Sequence, residues 1–284
     1  MIYTSQPPKP LDYDQEYKVI ALDLDGTLTN SRKEVSPRNI KAIHKAAAKG
    51  VHVVLASGRP LPGIVPVAKE VGLFDVGGYM LAYNGSQVVD CRTGESLIHR
   101  ALPEEYYPEI CRSYREFGVN LLTYSSTGVI TENKEKYAEM ESRICRIPLT
   151  KVPVLLDAIE GPVGKFLATG EYEKLKNFQA YLQKTFGDRI NVFFSETFFL
   201  EIVPPGIEKA ASLEKLLALL GCSREQLIAC GDSMNDTTMV SYAGLGVAME
   251  NAQPSLKSRA DYITDTNDND GVAEVIEKFI LHEI

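Results

Sequence analysis

Short apolar runs that stop abruptly at a polar or glycine residue constrain this chain more than any other feature. Val19-Ile20-Ala21-Leu22 is wholly apolar and passes straight into Asp23. A strand without polar alternation is buried on both faces, and such strands belong to parallel sheets covered by helices. Val51 to Leu55 and Tyr79 to Tyr83 repeat the pattern, and Leu227 to Cys230 and Leu245 to Ala248 do so again near the other end. Between the first two runs the pattern predicts a helix. Ser36 caps it, Pro37 takes its first position, Ile40, Ile43 and Ala47 share a face, and Gly50 ends it. Strand, helix, strand with buried strands implies right-handed crossovers.

The texture changes after Asn84-Gly85. Gln87 to Asp90 and Leu97 to Leu102 flank Thr93-Gly94 as a hairpin, and mixed helical and strand stretches continue to Phe198–Val203. Beyond Pro204-Pro205-Gly206 the first pattern returns, with a helix from about Lys209 to Leu220 and a closing helix from about Val272. A length of 284 residues favours two domains over one. The fold class is therefore α/β: a doubly wound, mainly parallel core made from both ends of the chain, residues 1–85 and 206–284, with an inserted α+β domain at 86–205.

Composition narrows the function. A formal charge of −8 argues against a nucleic-acid partner, which calls for clustered Lys and Arg. Five cysteines form an odd set without a Cys-x-x-Cys pair, and four scattered histidines read as filling rather than chemistry. The polar, Pro-rich leader to Tyr17 lacks the features of a signal peptide, and no run reaches the ~18 apolar residues of a membrane helix. The expectation is a cytoplasmic protein with no membrane partner.

Asp23-Leu24-Asp25-Gly26-Thr27 is the sharpest chemical signal. It follows a buried strand, and ligands of open α/β sheets bind at the carboxyl ends of strands. Residues two apart on an extended segment face the same way, so the two carboxylates can converge, which is costly unless a cation or proton joins them. A plain Asp- and Gly-rich turn is the competing reading. Three more stretches meet the same sheet edge: Ser57-Gly58-Arg59, with a hydroxyl and a backbone amide suited to a phosphate oxygen; Lys209, a cation; and Gly231-Asp232-Ser233-Met234-Asn235-Asp236, a further carboxylate cluster. Singly, Ser57 reads as a helix cap, Lys209 as a solvated charge and Asp232 as a turn residue. Together they point to a phosphate and Mg²⁺ site.

The order DLDGTL, SGR, PPGIEKAASL, GDSMNDTTM resembles the four motifs of the haloacid dehalogenase superfamily of phosphohydrolases. Asn84-Gly85, the large insert, Glu201-Ile202 with Pro204, and Met249-Glu250-Asn251-Ala252 resemble its Cof-like branch, which carries a type IIB cap. The landmarks run from about Val19 to Gly271, and Ala210 stands where Gly is common. The resemblance implies Asp23 as nucleophile and Asp25 as acid/base. It gives Ser57, Gly58, Arg59, Asn84, Lys209 and Asn235 to phosphate or substrate. Mg²⁺ falls to Asp23, the backbone carbonyl of Asp25, and Asp232, with Asp236 orienting Lys209 and metal-bound water. An ordinary Asp is almost wholly ionised at neutral pH, so the surroundings of Asp25 are expected to favour its acid form.

Thr266 to Glu277 partly matches a calcium-binding loop, but Thr266 replaces the first Asp ligand, and a loop capping the last helix is the better reading. The expected substrate is a small phosphorylated metabolite. A phosphosugar mutase and a non-catalytic ligand-binding module on the same fold are the alternatives, and a transport ATPase would require membrane helices.

Overall fold

The computed structural model describes residues 11, 13 and 15–283, so most of the leader lies outside the described residues. The chain divides into two compact units: one holds the described residues up to Gly58, Ile64–Ile98 and Glu208 onward, the other Arg59–Gly63 and His99–Ile207.

In chain order the first unit begins with β1 (Val19–Leu22), α1 (Pro37–Ala48), β2 (His52–Ala56), α2 (Leu61–Glu70), α3 (Leu73–Val76), β3 (Tyr79–Ala82), β4 (Gln87–Asp90) and β5 (Ser96–His99). The second unit contains α4 (Tyr107–Glu116), β6 (Asn120–Tyr124), β7 (Val129–Thr131), α5 (Lys136–Cys145), β8 (Leu149–Lys151), β9 (Phe166–Thr169), α6 (Tyr172–Phe186), β10 (Asn191–Glu196) and β11 (Phe199–Val203). The first unit resumes with α7 (Lys209–Leu220), β12 (Leu227–Gly231), α8 (Thr237–Tyr242), β13 (Leu245–Ala248), α9 (Pro254–Lys257), β14 (Tyr262–Ile263) and α10 (Gly271–Ile276).

The first unit is an eight-stranded sheet in the order β14-β13-β12-β1-β2-β3-β4-β5. From β14 to β3 every pair is parallel, and β1 lies between β12 and β2 with Leu22 opposite Cys230 and Leu55. All four residues of β1 are fully buried, as the unbroken apolar run requires. Chain order runs outward from β1 in opposite directions on its two sides, so a crevice is expected at the carboxyl end of β1. Ser36 caps α1 by accepting from the Asn39 amide, with Pro37 in the first turn. The buried face of α1 is Asn39, Ala42, Ile43 and Ala46 rather than the expected Ile40, Ile43 and Ala47. Asn39 is drawn inward because its amide nitrogen donates to Leu28 O and its oxygen accepts from Ala273 N at 2.8 Å.

The second unit is a six-stranded sheet, β10-β11-β9-β6-β7-β8. One face packs Leu121, Phe166 and Leu200 against Ile110 of α4 and Phe178 of α6, and the other packs Leu122, Leu167 and Phe199 against Ala138 and Cys145 of α5. The sequence placed the insertion from residue 86, yet β4 and β5 extend the first sheet. Tyr83, Asn84 and Gly85 take φ of 52°, 56° and 107°, which turns the chain back so that β4 runs antiparallel beside β3. No helix among the described residues is long and apolar enough to cross a membrane. The stretch likened to a calcium loop forms a short 3-10 turn, Asn267–Asn269, where Asp268 accepts from the backbone and hydroxyl of Ser31.

Candidate active site

Four parallel strands of the first sheet deliver the candidate residues to one edge: Asp23 follows β1, Ser57 follows β2, Asn84 follows β3, and Asp232 follows β12. Lys209 enters from the first turn of α7. Its side chain is wholly buried, and Nζ lies 2.6 Å from Asp23 Oδ1, 2.6 Å from Asp236 Oδ1 and 2.8 Å from the Ala56 carbonyl. All three donor positions of the ammonium are thus engaged.

Asp23, Asp232 and Asp236 form an acidic cluster in which one oxygen from each lies within 4.8 Å of the others. Burial, then the Asp236 carboxylate, pushes the pKa of Asp23 upward against the opposing pull of Lys209. Burial, then Asp236, pushes Asp232 up to about 6. Lys209 moves the other way from what burial alone dictates: Asp23 and Asp236 outweigh desolvation and raise its pKa, so it stays an ammonium. One ammonium cannot balance three carboxylates, so the repulsion from Asp236 adds to the larger effect of burial in raising Asp23 and Asp232.

The cluster fits a hard divalent cation. Asp236 has no oxygen left to offer without breaking contacts, because Oδ1 meets Lys209 and Oδ2 accepts from the amides of Asp232 and Ser233 at 3.0 Å each. Asp232 is held by neutral donors, Thr27 Oγ1 at 3.2 Å and Ser233 Oγ at 3.1 Å. Gly26, at φ 82°, lets the loop after β1 pass directly over this carboxylate.

Asp25 does not join the cluster. The turn closed by Thr27 N on Leu24 O breaks the strand alternation, and the Asp25 carboxylate instead pairs with Lys33 Nζ at 2.7 Å. Ser57 is buried, with its backbone bonded to Leu81 O and to Asn84 N. Asn84 sits in the left-handed region and accepts from Asn235 Nδ2 at 3.1 Å, with Gly58 packed beneath its amide. Arg59 belongs to the second unit, where it donates to the Gly63 carbonyl at 3.2 Å.

Three contributors were not read from the sequence. Lys33 lies in the charged string Ser31-Arg32-Lys33-Glu34, which gives no sign of direction. Asn251 donates to Gly26 O at 2.8 Å, and Asn267 donates to Thr29 O at 2.9 Å, so two loops far along the chain fasten the segment after β1. Asn251 lies within Met249-Glu250-Asn251-Ala252, whose resemblance to the Cof-like branch is the signal that points to it.

Comparison with known proteins bears on the family and the fold. A profile of the haloacid dehalogenase-like hydrolases matches residues 20–276. The chain is 32% identical over 268 residues to the 5-amino-6-(5-phospho-D-ribitylamino)uracil phosphatase YcsE of Bacillus subtilis, spanning 94% of this chain and 98% of that one. A crystal structure of a haloacid dehalogenase-like hydrolase from Bacteroides thetaiotaomicron superposes with a TM-score of 0.89 at 44% identity, covering 92% of this chain and 99% of the other. The fold is also that of the HAD subclass IIB sugar phosphatase BT4131, with a TM-score of 0.75 at 22% identity over 92% and 98% of the two chains.

Proposed function

The chain belongs to the haloacid dehalogenase-like hydrolases and is a phosphatase of that family, and from this premise we propose that it is Mg²⁺-dependent and works through an aspartyl-phosphate on Asp23. The observation that carries the proposal is the buried Lys209 ammonium shared between Asp23 and Asp236, beside Asp232, at the carboxyl edge of β1. A carboxylate attacks a phosphate dianion only if cations neutralise both. Lys209 supplies one charge. Asp23, Asp232 and the Asp25 carbonyl would hold Mg²⁺, which would supply Lewis-acid neutralisation of the phosphoryl oxygens when bound.

In the first step an Asp23 oxygen bonds to phosphorus while the bond to the leaving alcohol breaks, and the departing oxygen takes a proton from the Asp25 carboxyl. In the second, water bonds to phosphorus, the Asp23–phosphorus bond breaks, and the water proton passes to Asp25. Ser57, Gly58, Asn84 and Asn235 are assigned to the phosphate and substrate side. Asp236 fixes Lys209. The inserted unit is assigned as the cap that selects the substrate.

The substrate class is a small phosphorylated metabolite, and the ribityl phosphate named for YcsE makes sugar and polyol phosphates the first candidates. Reduced cytoplasm suits its five unpaired cysteines. The test is phosphate release from a panel of sugar phosphates, polyol phosphates, nucleotides and flavin phosphate with Mg²⁺. Release from a hexose phosphate without a bisphosphate activator supports hydrolysis. Isomerised hexose phosphate without free phosphate would instead indicate a mutase.

A further inference from the structure

Lys33 occupies a backbone conformation that a lysine adopts only at a cost. Its φ is 63°, in the left-handed region that favours glycine. The loop around it over-determines that conformation. Lys33 N donates to Asn30 O at 2.8 Å and Asn30 N to Glu34 O at 2.9 Å, while the Asn30 side-chain oxygen accepts from the amides of Arg32 and Glu34. Outside contacts hold both ends: Asn267 on Thr29 O, Asp268 on Ser31, and Glu70 on Val35 N. The result is an ammonium aimed back across the loop at Asp25 Oδ1, 2.7 Å away. Glycine at this position would be the unstrained choice for the turn and could make no such contact. Strained residues persist where the surrounding structure over-determines them, and they cluster at functional sites.

We propose that Lys33 is a positioning residue for the proposed reaction: its ammonium holds one oxygen of the Asp25 carboxyl so that the group meets the leaving-group oxygen, and then the incoming water, in a fixed orientation. The inference rests on the acid/base reading of Asp25. Lys33 itself exchanges no proton and touches no reacting atom. Its effect is therefore largest where proton delivery matters most, which is with alkyl phosphates, and smallest with nitrophenyl phosphate, whose phenolate departs without a proton.

The discriminating variant is Lys33→Gly, because it removes the ammonium while relieving the backbone. It is expected to melt no lower than the parent protein. Single-turnover rates with glycerol phosphate should fall by about tenfold or more, with KM little changed, and those with 4-nitrophenyl phosphate by less than about threefold, smaller than the range of a lost general acid. Lys33→Arg should recover part of the alkyl phosphate rate. Unchanged turnover of glycerol phosphate in Lys33→Gly, or equal losses on both substrates, would overturn the inference. Asp25→Asn in the same assay separates the two claims. If it discriminates between the substrates and Lys33→Gly does not, the Lys33 inference alone is wrong. If Asp25→Asn slows both equally, the acid role falls and the Lys33 inference falls with it.

Discussion

Gly26 lies so close to Asp232 that a Cβ built on it would fall 2.5 Å from the carboxylate oxygen Oδ2. At φ 82° the backbone also sits where side chains other than glycine are strained. Gly26→Ala is therefore expected to push Asp232 out of the acidic cluster and to cost about 1–3 kcal/mol of stability. Loss of one carboxylate ligand should weaken Mg²⁺ binding by about tenfold or more, in line with the cost of disturbing a metal site. A Mg²⁺ titration of phosphatase activity, with thermal melts alongside, checks both effects. Parent-like affinity in this variant would mean that Asp232 is not a ligand.

Burial and the crowding of carboxylates in the cluster link metal binding to pH. Asp232 is pushed up to about 6, from 3.8, by burial and then by Asp236. A carboxyl with a raised folded pKa binds its proton more tightly in the folded than in the unfolded chain. Its contribution to stability is fully present below about 3.8 and is lost as pH rises through about 6. Under chelating conditions, raising the pH across that window should lower the melting temperature, and Asp232→Asn should remove this component. Saturating Mg²⁺ should oppose the loss, since the ion replaces the proton. Apparent Mg²⁺ affinity should accordingly fall as pH drops from 7.5 to 5. An affinity flat across that range would contradict the coordination proposed for Asp232.

The core of the fold was legible because its signals are local. The apolar run of β1 admits few alternatives, and the residues at its end and at the ends of β2 and β12 meet simply because the strands are parallel neighbours. The helix expected from about Lys209 to Leu220 is α7, and it ends where Gly221 takes a left-handed φ of 67°. Legibility failed where the backbone does something its residues do not advertise. Pro62, Gly63 and Pro66 masked α2, a helix that carries Pro66 inside it. The left-handed Tyr83 and Asn84 folded β4 back onto the first sheet instead of leading into the insertion. At the site, alternation predicted that Asp23 and Asp25 converge, but a tight turn intervenes, and the third carboxylate of the cluster is Asp236, four residues beyond Asp232. A short capping turn, with Ser233 and Asp236 bonded reciprocally, brings it there.

The account stands or falls on Asp23 as the covalent nucleophile. Rapid acid quenching during turnover of a good substrate with Mg²⁺, followed by intact-protein and peptide mass measurement, reads the intermediate directly. The account predicts one phosphoryl group per chain on the peptide containing Asp23, labile to hydroxylamine as an acyl phosphate is. Asp23→Asn should remain folded, since an amide keeps the shape of the carboxyl, yet carry no phosphoryl group and release no phosphate. A phosphoryl group on another residue, or sustained turnover by Asp23→Asn, would contradict it.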